Sequence, residues 1–364
     1  MKSIFSSKTV NAERQSELDL VKGIAIITMI ICHTVEFMGD IPDHVGYIVA
    51  DQILGGPMAA PMFMLCMGIG INFSRRNTPL SLFKRGASIF LLAYILNFAR
   101  SALPIVLGFA IGGAEMITFD MLVMGLMIVD ILQFAGLALM FLALCLKLEL
   151  KDWQLLSIAV ICSVMGSLCA FFSSGNLAID SIVGLFIGAG PDNYDECVSA
   201  FPFLHWILFP VFGYVAGKRL MRCTDKERLY RRILAITLPL TLFYYCVVAQ
   251  KGWNPFSKGF YYWPSIVDSL FFLCLDLCLI SLAWQLIKIL PHKVTGALQN
   301  LSSRITTVYF ISWVIICWIG VPLFWGLEIE PLNPWLAYIP GVLIIIVSYR
   351  LAIWWGNKRK NWSL

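Results

Sequence analysis

In the stretch ELDLVKGIAIITMIICHTVEF, residues 17–37, the apolar run that follows Glu17 carries the ionisable side chains of Asp19, Lys22, His33 and Glu36. On an α-helix these four positions fall within one stripe about 100° wide, so they share a face. His33 and Glu36 are three residues apart, and a carboxylate beside an imidazole holds its tautomer and raises its basicity. The pair is typical of a general base. The alternative is a histidine that only hydrogen-bonds a neighbouring helix.

Five further ionisable residues lie in apolar stretches or at their ends, and they are candidates to converge with His33. They are Asp51, Arg100, Asp130, His205 and Asp268. A charge near the centre of a bilayer costs about 2.5–3.5 kcal/mol on insertion scales, so such residues usually face an interior cavity. Each could instead make a structural hydrogen bond or ion pair between helices, and Arg100 could simply neutralise a carboxylate.

The composition predicts that membrane helices carry these side chains. The chain has 364 residues, 59% hydrophobic and 13% charged, and its mean hydropathy is +0.80, whereas soluble domains are about 25% charged. The apolar runs are continuous rather than alternating, which favours helices over a β-barrel. We therefore predict an all-α polytopic membrane protein. We expect about ten spans, at residues 19–39, 47–72, 87–113, 121–146, 154–173, 203–217, 233–249, 265–289, 305–326 and 334–356. The stretch 87–146 contains Pro104, the Gly pair at 112–113 and Asp130, and whether it holds a broken or re-entrant helix is left open.

A single transmembrane domain, residues 19–356, is expected between an N-terminal segment, 1–18, and a basic tail, 357–364. Lys and Arg indicate the orientation, because translocated loops are poor in both. The loops on one side of the predicted topology hold nearly all of the loop Lys and Arg, and the other side has only Lys251 and Lys258. Both termini are therefore predicted to be cytoplasmic. Because the chain shows no eukaryotic targeting signal and has this loop pattern, a bacterial inner-membrane protein is the simplest expectation.

The net charge of +5 is explained by this bias and needs no nucleic-acid partner, although the basic face also suits anionic lipid or a phosphorylated ligand. The eleven cysteines show neither a disulfide framework nor metal-ligand spacing, so we expect no metal ion. An oligomer is left open.

The first predicted helix resembles the signature of a large clan of transmembrane acyltransferases, which includes the acyltransferase-three family and heparan-α-glucosaminide N-acetyltransferase-like proteins. In that signature Leu-Asp, a basic residue and Gly precede an apolar turn or two and a histidine, as in ELDLVKGIAIITMIICH. Further segments resemble the clan in the expected order, over about residues 14 to 316. They are APMFMLCMGIGINFSRR (60–76), FKRGASIFLLAYILNF (83–98), DILQFAGLAL (130–139), FPFLHWILFPVFGYVAGKRL (201–220) and LSSRITTVYFISWVII (301–316). Lys22 and Ser312 depart from the pattern, since Arg and His are commoner at those places.

The resemblance implies transfer of an acyl group, commonly acetyl from acetyl-coenzyme A, to a hydroxyl or amine of a glycan or glycolipid on the far side of the membrane. Acyl-coenzyme A, the lipid bilayer and a sugar or glycolipid acceptor are then the expected partners. Basic side chains bind phosphate well, and Arg does so in a bidentate manner. The residues expected to hold the coenzyme A phosphates are Lys22, Arg75, Arg76, Lys84 and Arg85.

The resemblance also implies roles for the candidate site residues. We expect His33 to deprotonate the acceptor, or to carry the acyl group transiently, while Glu36 orients the imidazole. Arg100, or backbone groups at a helix break, would stabilise the developing oxyanion. The expected substrate-binding residues are Asp51, Asp130, His205 and Asp268, and Asp130 and Asp268 would bind acceptor hydroxyls.

Two other function classes are compatible with the residues. A proton-coupled secondary transporter of a small polar molecule also uses intramembrane carboxylates, a histidine and an arginine, but the chain shows no inverted repeat. A non-catalytic membrane scaffold would bind no coenzyme A.

Overall fold

The computed structural model describes residues 4–56, 58–75, 77–112, 119–169, 171–190, 198–248, 261–327 and 329–362. Within these ranges the protein is all-helical, as predicted, with isolated β-bridges and no β-strand. The α-helices, in chain order, are α1 (Ser16–Met38), α2 (Val45–Ile48), α3 (Ala60–Asn72), α4 (Pro79–Asn97), α5 (Leu103–Gly112), α6 (Phe119–Met127), α7 (Ile131–Lys147), α8 (Asp152–Leu168), α9 (Leu177–Gly184), α10 (Phe203–Trp206), α11 (Leu208–Met221), α12 (Lys226–Phe243), α13 (Ile266–Ile287), α14 (His292–Ser303), α15 (Ile305–Gly320) and α16 (Pro334–Trp362).

Wider π-helical turns interrupt this series in the described chain. They are Val49–Gly55, Phe98–Ala102, Tyr244–Val248 and Val321–Gly326. Such turns are rare, and they occur frequently at functional sites because the extra residue per turn changes the direction of nearby side chains. Asp51 lies in the first of these segments and Arg100 in the second.

Several helical stretches are long and apolar enough to cross a bilayer, which needs about 20 residues. In the described chain these six stretches are Ser16–Met38, Val45–Asn72, Pro79–Leu107, Ile266–Ile287, Ile305–Phe324 and Pro334–Lys358. Helices α7 and α8 are apolar but shorter. The protein is thus a multi-pass integral membrane protein, while ten spans and two cytoplasmic termini stay predictions.

Within residues 87–146, Asp130 lies between the end of α6 and the start of α7. The Asp130 side chain accepts a hydrogen bond from Ile131 N at 2.6 Å, and the Gln133 side chain accepts one from Asp130 N at 3.1 Å. This reciprocal arrangement satisfies backbone donors that the first turn of a helix leaves unpaired. The local sequence Asp-Ile-Leu-Gln therefore starts a new helix here.

The helix that contains the start of the predicted span 87–113 begins before that span. Helix α4 already begins at Pro79, so Lys84 and Arg85 lie on a helix. Thr78 accepts a hydrogen bond from Ser81 N at 3.3 Å, and proline is favourable at the first helical position because its missing N–H has no partner there anyway.

Tertiary contacts divide the chain into two compact units, each assembled from separate stretches. The first unit comprises Met1–Leu18, Ala60–Tyr94 and Met127–Ile289, and the second comprises Asp19–Ala59, Ile95–Leu126 and Leu290–Leu364. The single domain expected over residues 19–356 stays a prediction.

In the first unit, helices α3 and α11 pack backbone against backbone through glycines. A Cβ on Gly68 would lie 2.1 Å from Pro210 O, and a Cβ on Gly213 would lie 2.2 Å from Leu65 O. Any larger residue at either position would force the two helices apart. Such close approach through small residues is typical of membrane helices, whose association depends on packing rather than on exclusion of water.

In the second unit, helix α1 is held near both of its ends. Near its start, Ser302 Oγ of α14 donates a hydrogen bond to Asp19 Oδ1 at 2.7 Å. Near its end, a Cβ on Gly320 of α15 would lie 3.0 Å from Phe37 Cδ1, so the two helices are in close contact there. The carboxyl-terminal half of α1 therefore lies beside α15.

Candidate active site

His33 and Glu36 are in contact on α1, as their spacing predicted. The distance from His33 Nδ1 to Glu36 Oε2 is 2.7 Å, and each side chain is 21% exposed. A carboxylate can only accept, so this hydrogen bond assigns the proton of the neutral ring to Nδ1 and leaves Nε2 as the acceptor. An imidazole in this tautomer is suited to removing a proton from a hydroxyl or an amine.

The indole of Trp313, on α15, packs against the imidazole of His33. The two ring centroids are 4.3 Å apart, and their planes are inclined by 35°. The guanidinium carbon of Arg100 lies 4.5 Å from the centroid of the same indole, at cation–π distance. Both His33 and Arg100 therefore contact the ring of Trp313, while a shared catalytic role for the two residues stays a prediction.

Arg100 is buried, at 4% exposed, within the π-helical segment Phe98–Ala102. Its Nη2 donates a hydrogen bond to Asn97 Oδ1 at 3.1 Å, and Asn97 Nδ2 donates to Leu126 O at 3.0 Å. Trp318 Nε1 of α15 donates to Ala99 O at 2.8 Å. These contacts fix the segment, so the guanidinium is held in one orientation instead of sampling the many rotamers of an exposed arginine.

Asp51 belongs to the same neighbourhood. Cys32 is buried, at 3% exposed, and its thiol lies close enough to both Glu36 and Asp51 for electrostatic interaction. The chain around Asp51 approaches closely, because a Cβ on Gly55 would lie 2.2 Å from Cys32 Sγ. The second unit thus assembles a histidine, two carboxylates and a guanidinium around Trp313 and Cys32.

Asp19 and Lys22 form a second polar contact on α1, separate from His33. Lys22 Nζ lies 3.2 Å from Asp19 Oδ1, and the lysine side chain is 26% exposed. On a straight helix Lys22 is about 17 Å along the axis from His33, so the two polar contacts lie at different depths along α1. The role of Lys22 in binding coenzyme A stays a prediction.

Three of the predicted substrate-binding residues belong to the first unit, where their side chains hold local structure. Asp130 caps α7. Asp268 is fully buried and accepts hydrogen bonds from Ser265 N at 2.9 Å and from Tyr244 Oη at 3.2 Å. The ring of His205 is also buried, and its Nδ1 is 3.1 Å from Pro264 O, to which it donates. Their convergence with His33 stays a prediction.

The remaining candidates are basic residues of the first unit. Arg75, Lys84 and Arg85 are exposed, so their cationic groups are accessible to an anion, while Arg76 lies outside the described residues. Their contact with the phosphates of coenzyme A stays a prediction.

A comparison with protein families decides the class of this protein. The profile of the acyltransferase-3 family, described as an acyltransferase domain, matches residues 15–352. The chain belongs to the acyltransferase-3 family. A comparison with curated proteins finds no match.

Membership of the acyltransferase-3 family makes the protein an acyltransferase, as the sequence predicted. The matched region begins in the last residues before α1 and reaches into α16, so it includes every candidate site residue. His33, Arg100 and Trp313 therefore lie inside the acyltransferase domain and not in an appended segment.

Among the described residues of this acyltransferase, Cys32, His33 and Glu36 have side chains of the types that could bind a metal ion. The possible ligand atoms of Cys32, His33 and Glu36 all lie within 4.8 Å of one another. However, the 2.7 Å between His33 Nδ1 and Glu36 Oε2 is a hydrogen-bond distance, whereas two ligands of one tetrahedral zinc ion are about 3.3 Å apart. The geometry fits a proton-sharing pair better, and the absence of a metal requirement stays a prediction.

Trp313 and Asn97 are the site residues of this acyltransferase that sequence reasoning missed. Trp313 lies within the segment LSSRITTVYFISWVII, directly after Ser312, but aromatic side chains are common in membrane helices and carry no sign of their partners. Asn97 precedes Arg100 by three residues, which is a spacing that permits contact on a helix. That spacing was the available signal for Asn97, whereas only the tertiary structure reveals Trp313.

Proposed function

We propose that this acyltransferase moves an acyl group, with acetyl as the expected group, from acyl-coenzyme A to a hydroxyl or amine of a glycan or glycolipid on the extracytoplasmic side of the membrane. The observation that carries the proposal is the 2.7 Å hydrogen bond between His33 Nδ1 and Glu36 Oε2. It gives an acyltransferase domain a general base whose other ring nitrogen can accept a proton.

The reaction requires one proton to move from the acceptor to the leaving thiolate. His33 Nε2 takes the proton as the acceptor oxygen or nitrogen attacks the carbonyl carbon of the thioester. Glu36 stabilises the imidazolium that forms. When the tetrahedral intermediate collapses, the carbon–sulfur bond breaks and the imidazolium returns the proton to the thiolate of coenzyme A.

The carbonyl oxygen carries negative charge in the tetrahedral intermediate and needs hydrogen-bond donors. The Arg100 guanidinium supports this role because it is buried, fixed by Asn97 and 4.5 Å from the ring that packs on His33. A fixed donor in a water-poor site stabilises such an oxyanion strongly, since it needs no reorganisation during the reaction.

The proposal places the donor and the acceptor on opposite sides of the membrane. Coenzyme A would bind the basic cytoplasmic face, where the phosphates meet Lys22, Arg75, Arg76, Lys84 and Arg85. The excess of Lys and Arg on one side of the predicted topology supports this orientation. A bacterial inner membrane is the proposed location. The transporter alternative is set aside because the chain belongs to a family of acyltransferases.

The test uses purified protein in liposomes with acetyl-coenzyme A labelled in its acetyl group. Release of free coenzyme A and transfer of label to added sugar or glycolipid acceptors are measured for the wild type, for His33→Ala and for His292→Ala. His292 is an exposed histidine, so its replacement controls for loss of an imidazole as such.

We expect activity in the wild type and in His292→Ala, and none in His33→Ala. Wild-type turnover by His33→Ala would remove His33 from the mechanism. Absence of both release and transfer in all three proteins, with no thermal stabilisation by coenzyme A, would overturn the proposed donor.

A further inference from the structure

The ring of Trp313 occupies a central position in the candidate active site. It lies 4.3 Å from the imidazole of His33 and 4.5 Å from the guanidinium carbon of Arg100, measured from ring centroids. The ring of Phe37 meets it edge-on, with centroids 6.0 Å apart. Trp313 thus touches the proposed base, the proposed oxyanion donor and an apolar side chain at once.

The indole N–H of Trp313 is buried and has no hydrogen-bond partner among the residues that the structure describes. Buried tryptophan N–H groups usually find a partner, because an unpaired donor loses its hydrogen bonds to water without replacement. The fully buried Trp206 follows this rule, since its Nε1 donates to Tyr262 O at 2.8 Å. The unpaired N–H of Trp313 therefore indicates a ligand that accepts a hydrogen bond.

The apolar surroundings restrict the chemistry of that ligand. Trp313 packs with Phe37 and Leu122 on a buried cluster formed by Ile105, Cys317 and Val321. An anion with its full hydration shell is unsuited to such surroundings, whereas the carbonyl oxygen of an acyl thioester is a compact acceptor attached to an apolar group. Because the ring of Trp313 packs against His33, the carbonyl group attacked with the help of this base must lie close to the ring.

We propose that Trp313 is a substrate-contacting residue whose indole N–H donates a hydrogen bond to the carbonyl oxygen of the transferred acyl group. The inference rests on the proposed function, because it requires acyl transfer at His33. When the acceptor attacks the carbonyl carbon, the carbonyl electron pair moves to this oxygen, and the Trp313 N–H and Arg100 share the resulting negative charge. The charge is released as the carbon–sulfur bond breaks, and the proton taken by His33 goes to the thiolate of coenzyme A.

The test separates the N–H from the aromatic ring. Trp313→Phe keeps an aromatic ring beside His33 and Arg100 and removes the N–H donor. We expect kcat for acyl transfer to fall on the order of 10²-fold, as for loss of one oxyanion donor. We expect the KM for acetyl-coenzyme A to stay within about twofold, because the hydrogen bond strengthens in the transition state. The pH profile of kcat should keep its wild-type midpoint, since the His33 and Glu36 pair is unchanged.

Trp354→Phe, at an exposed tryptophan of α16, is the matched control and should behave as the wild type.

A second substitution covers the outcome in which Trp313→Phe does not fold. Replacement of Trp313 by benzothienylalanine keeps the bicyclic shape and exchanges the N–H for sulfur, so it should show the same fall in kcat in a protein of wild-type thermal stability. A kcat within twofold of wild type for either variant, with His33→Ala inactive, would overturn the inference and leave the proposed function standing. A shifted pH midpoint together with the lower kcat would also overturn it, because the ring would then only orient His33. An inactive wild-type protein would overturn both this inference and the proposed function.

Discussion

The imidazole of His33 and the indole of Trp313 pack with their ring centroids 4.3 Å apart, although 280 positions separate the two residues along the chain. Glu36 forms a hydrogen bond with the imidazole of His33, and the guanidinium of Arg100 lies over the ring of Trp313. Base, carboxylate and guanidinium are thus linked through one aromatic ring, which explains how helices α1 and α15 and a π-helical turn can share one site.

Replacement Glu36→Gln should lower kcat/KM on the order of 10²- to 10⁴-fold, because the amide cannot stabilise the imidazolium and no longer selects the tautomer with the proton on Nδ1. Release of coenzyme A by proteoliposomes measures the effect. The control is Glu13→Gln, at an exposed glutamate. Turnover within twofold of the wild type would show that the 2.7 Å contact has no catalytic role.

Replacement Arg100→Lys should lower kcat by about 10²-fold, the usual effect of losing one oxyanion donor. Lysine keeps the charge but loses the planar guanidinium that both packs over Trp313 and reaches Asn97. Steady-state kinetics with acetyl-coenzyme A separate kcat from KM. The exposed Arg350 of α16 offers the matched control Arg350→Lys. A change confined to KM would instead assign Arg100 to donor binding.

Stability should depend on pH through Glu227, at the start of α12. Hydrogen bonds from Lys288, then from Trp284, Gln285 and Arg231, lower the pKa of this carboxyl from 4.5 to about 2. The unfolded chain therefore binds more protons between pH 4.5 and 2, so the contribution of Glu227 is present above pH 4.5 and is lost as the pH falls through this window.

Thermal unfolding in detergent, measured from pH 7 down to pH 2.5, checks this expectation. The midpoint of the wild type should exceed that of Glu227→Gln above pH 4.5, and the two curves should converge as the pH falls. Salt should reduce the difference, because the group is partly exposed and the charges are screened. Glu330→Gln, at an exposed glutamate, should show no such convergence. Parallel curves for Glu227→Gln and wild type would disprove the linkage.

Replacement Tyr230→Phe should destabilise the first unit by about 2 kcal/mol, the usual contribution of a hydrogen bond to a charged group. Tyr230 Oη donates to Glu17 Oε1 at 2.8 Å, and Lys226 Nζ lies 2.7 Å from the same oxygen. Glu17 is only 1% exposed, so water cannot replace the lost donor. Chemical denaturation in detergent measures the change, with Tyr349→Phe on α16 as control. Equal stability of Tyr230→Phe and Tyr349→Phe would contradict the predicted destabilisation.

Much of the architecture could be predicted from the sequence because it depends on local patterns. Long apolar runs predict membrane helices, and six stretches of the described chain satisfy that length and composition. The contact between His33 and Glu36 follows from their spacing on one helix.

Asp130 and Asp268 have structural roles at helix starts that the sequence interpretation did not assign to them. Both were expected to bind acceptor hydroxyls, yet Asp130 with Gln133 and Ser265 with Asp268 form reciprocal caps at helix starts. The spacing of three residues that favours such caps was present in the sequence. A role in acceptor binding stays a prediction for both residues. In the structure each carboxylate accepts a backbone hydrogen bond at the start of its own helix.

The sequence by itself determined that the protein folds in a membrane and is helical. It also determined the acyltransferase resemblance and the His33–Glu36 pair. Hydropathy and spacing along one helix are local properties, so no tertiary structure was needed for them. Only the tertiary structure decided that Trp313 packs against His33, that Asn97 holds Arg100 and that π-helical turns carry Arg100 and Asp51. Those relationships depend on how helices distant in sequence approach one another. In a membrane that approach is governed by packing of individual side chains and small residues, which apolar periodicity does not encode.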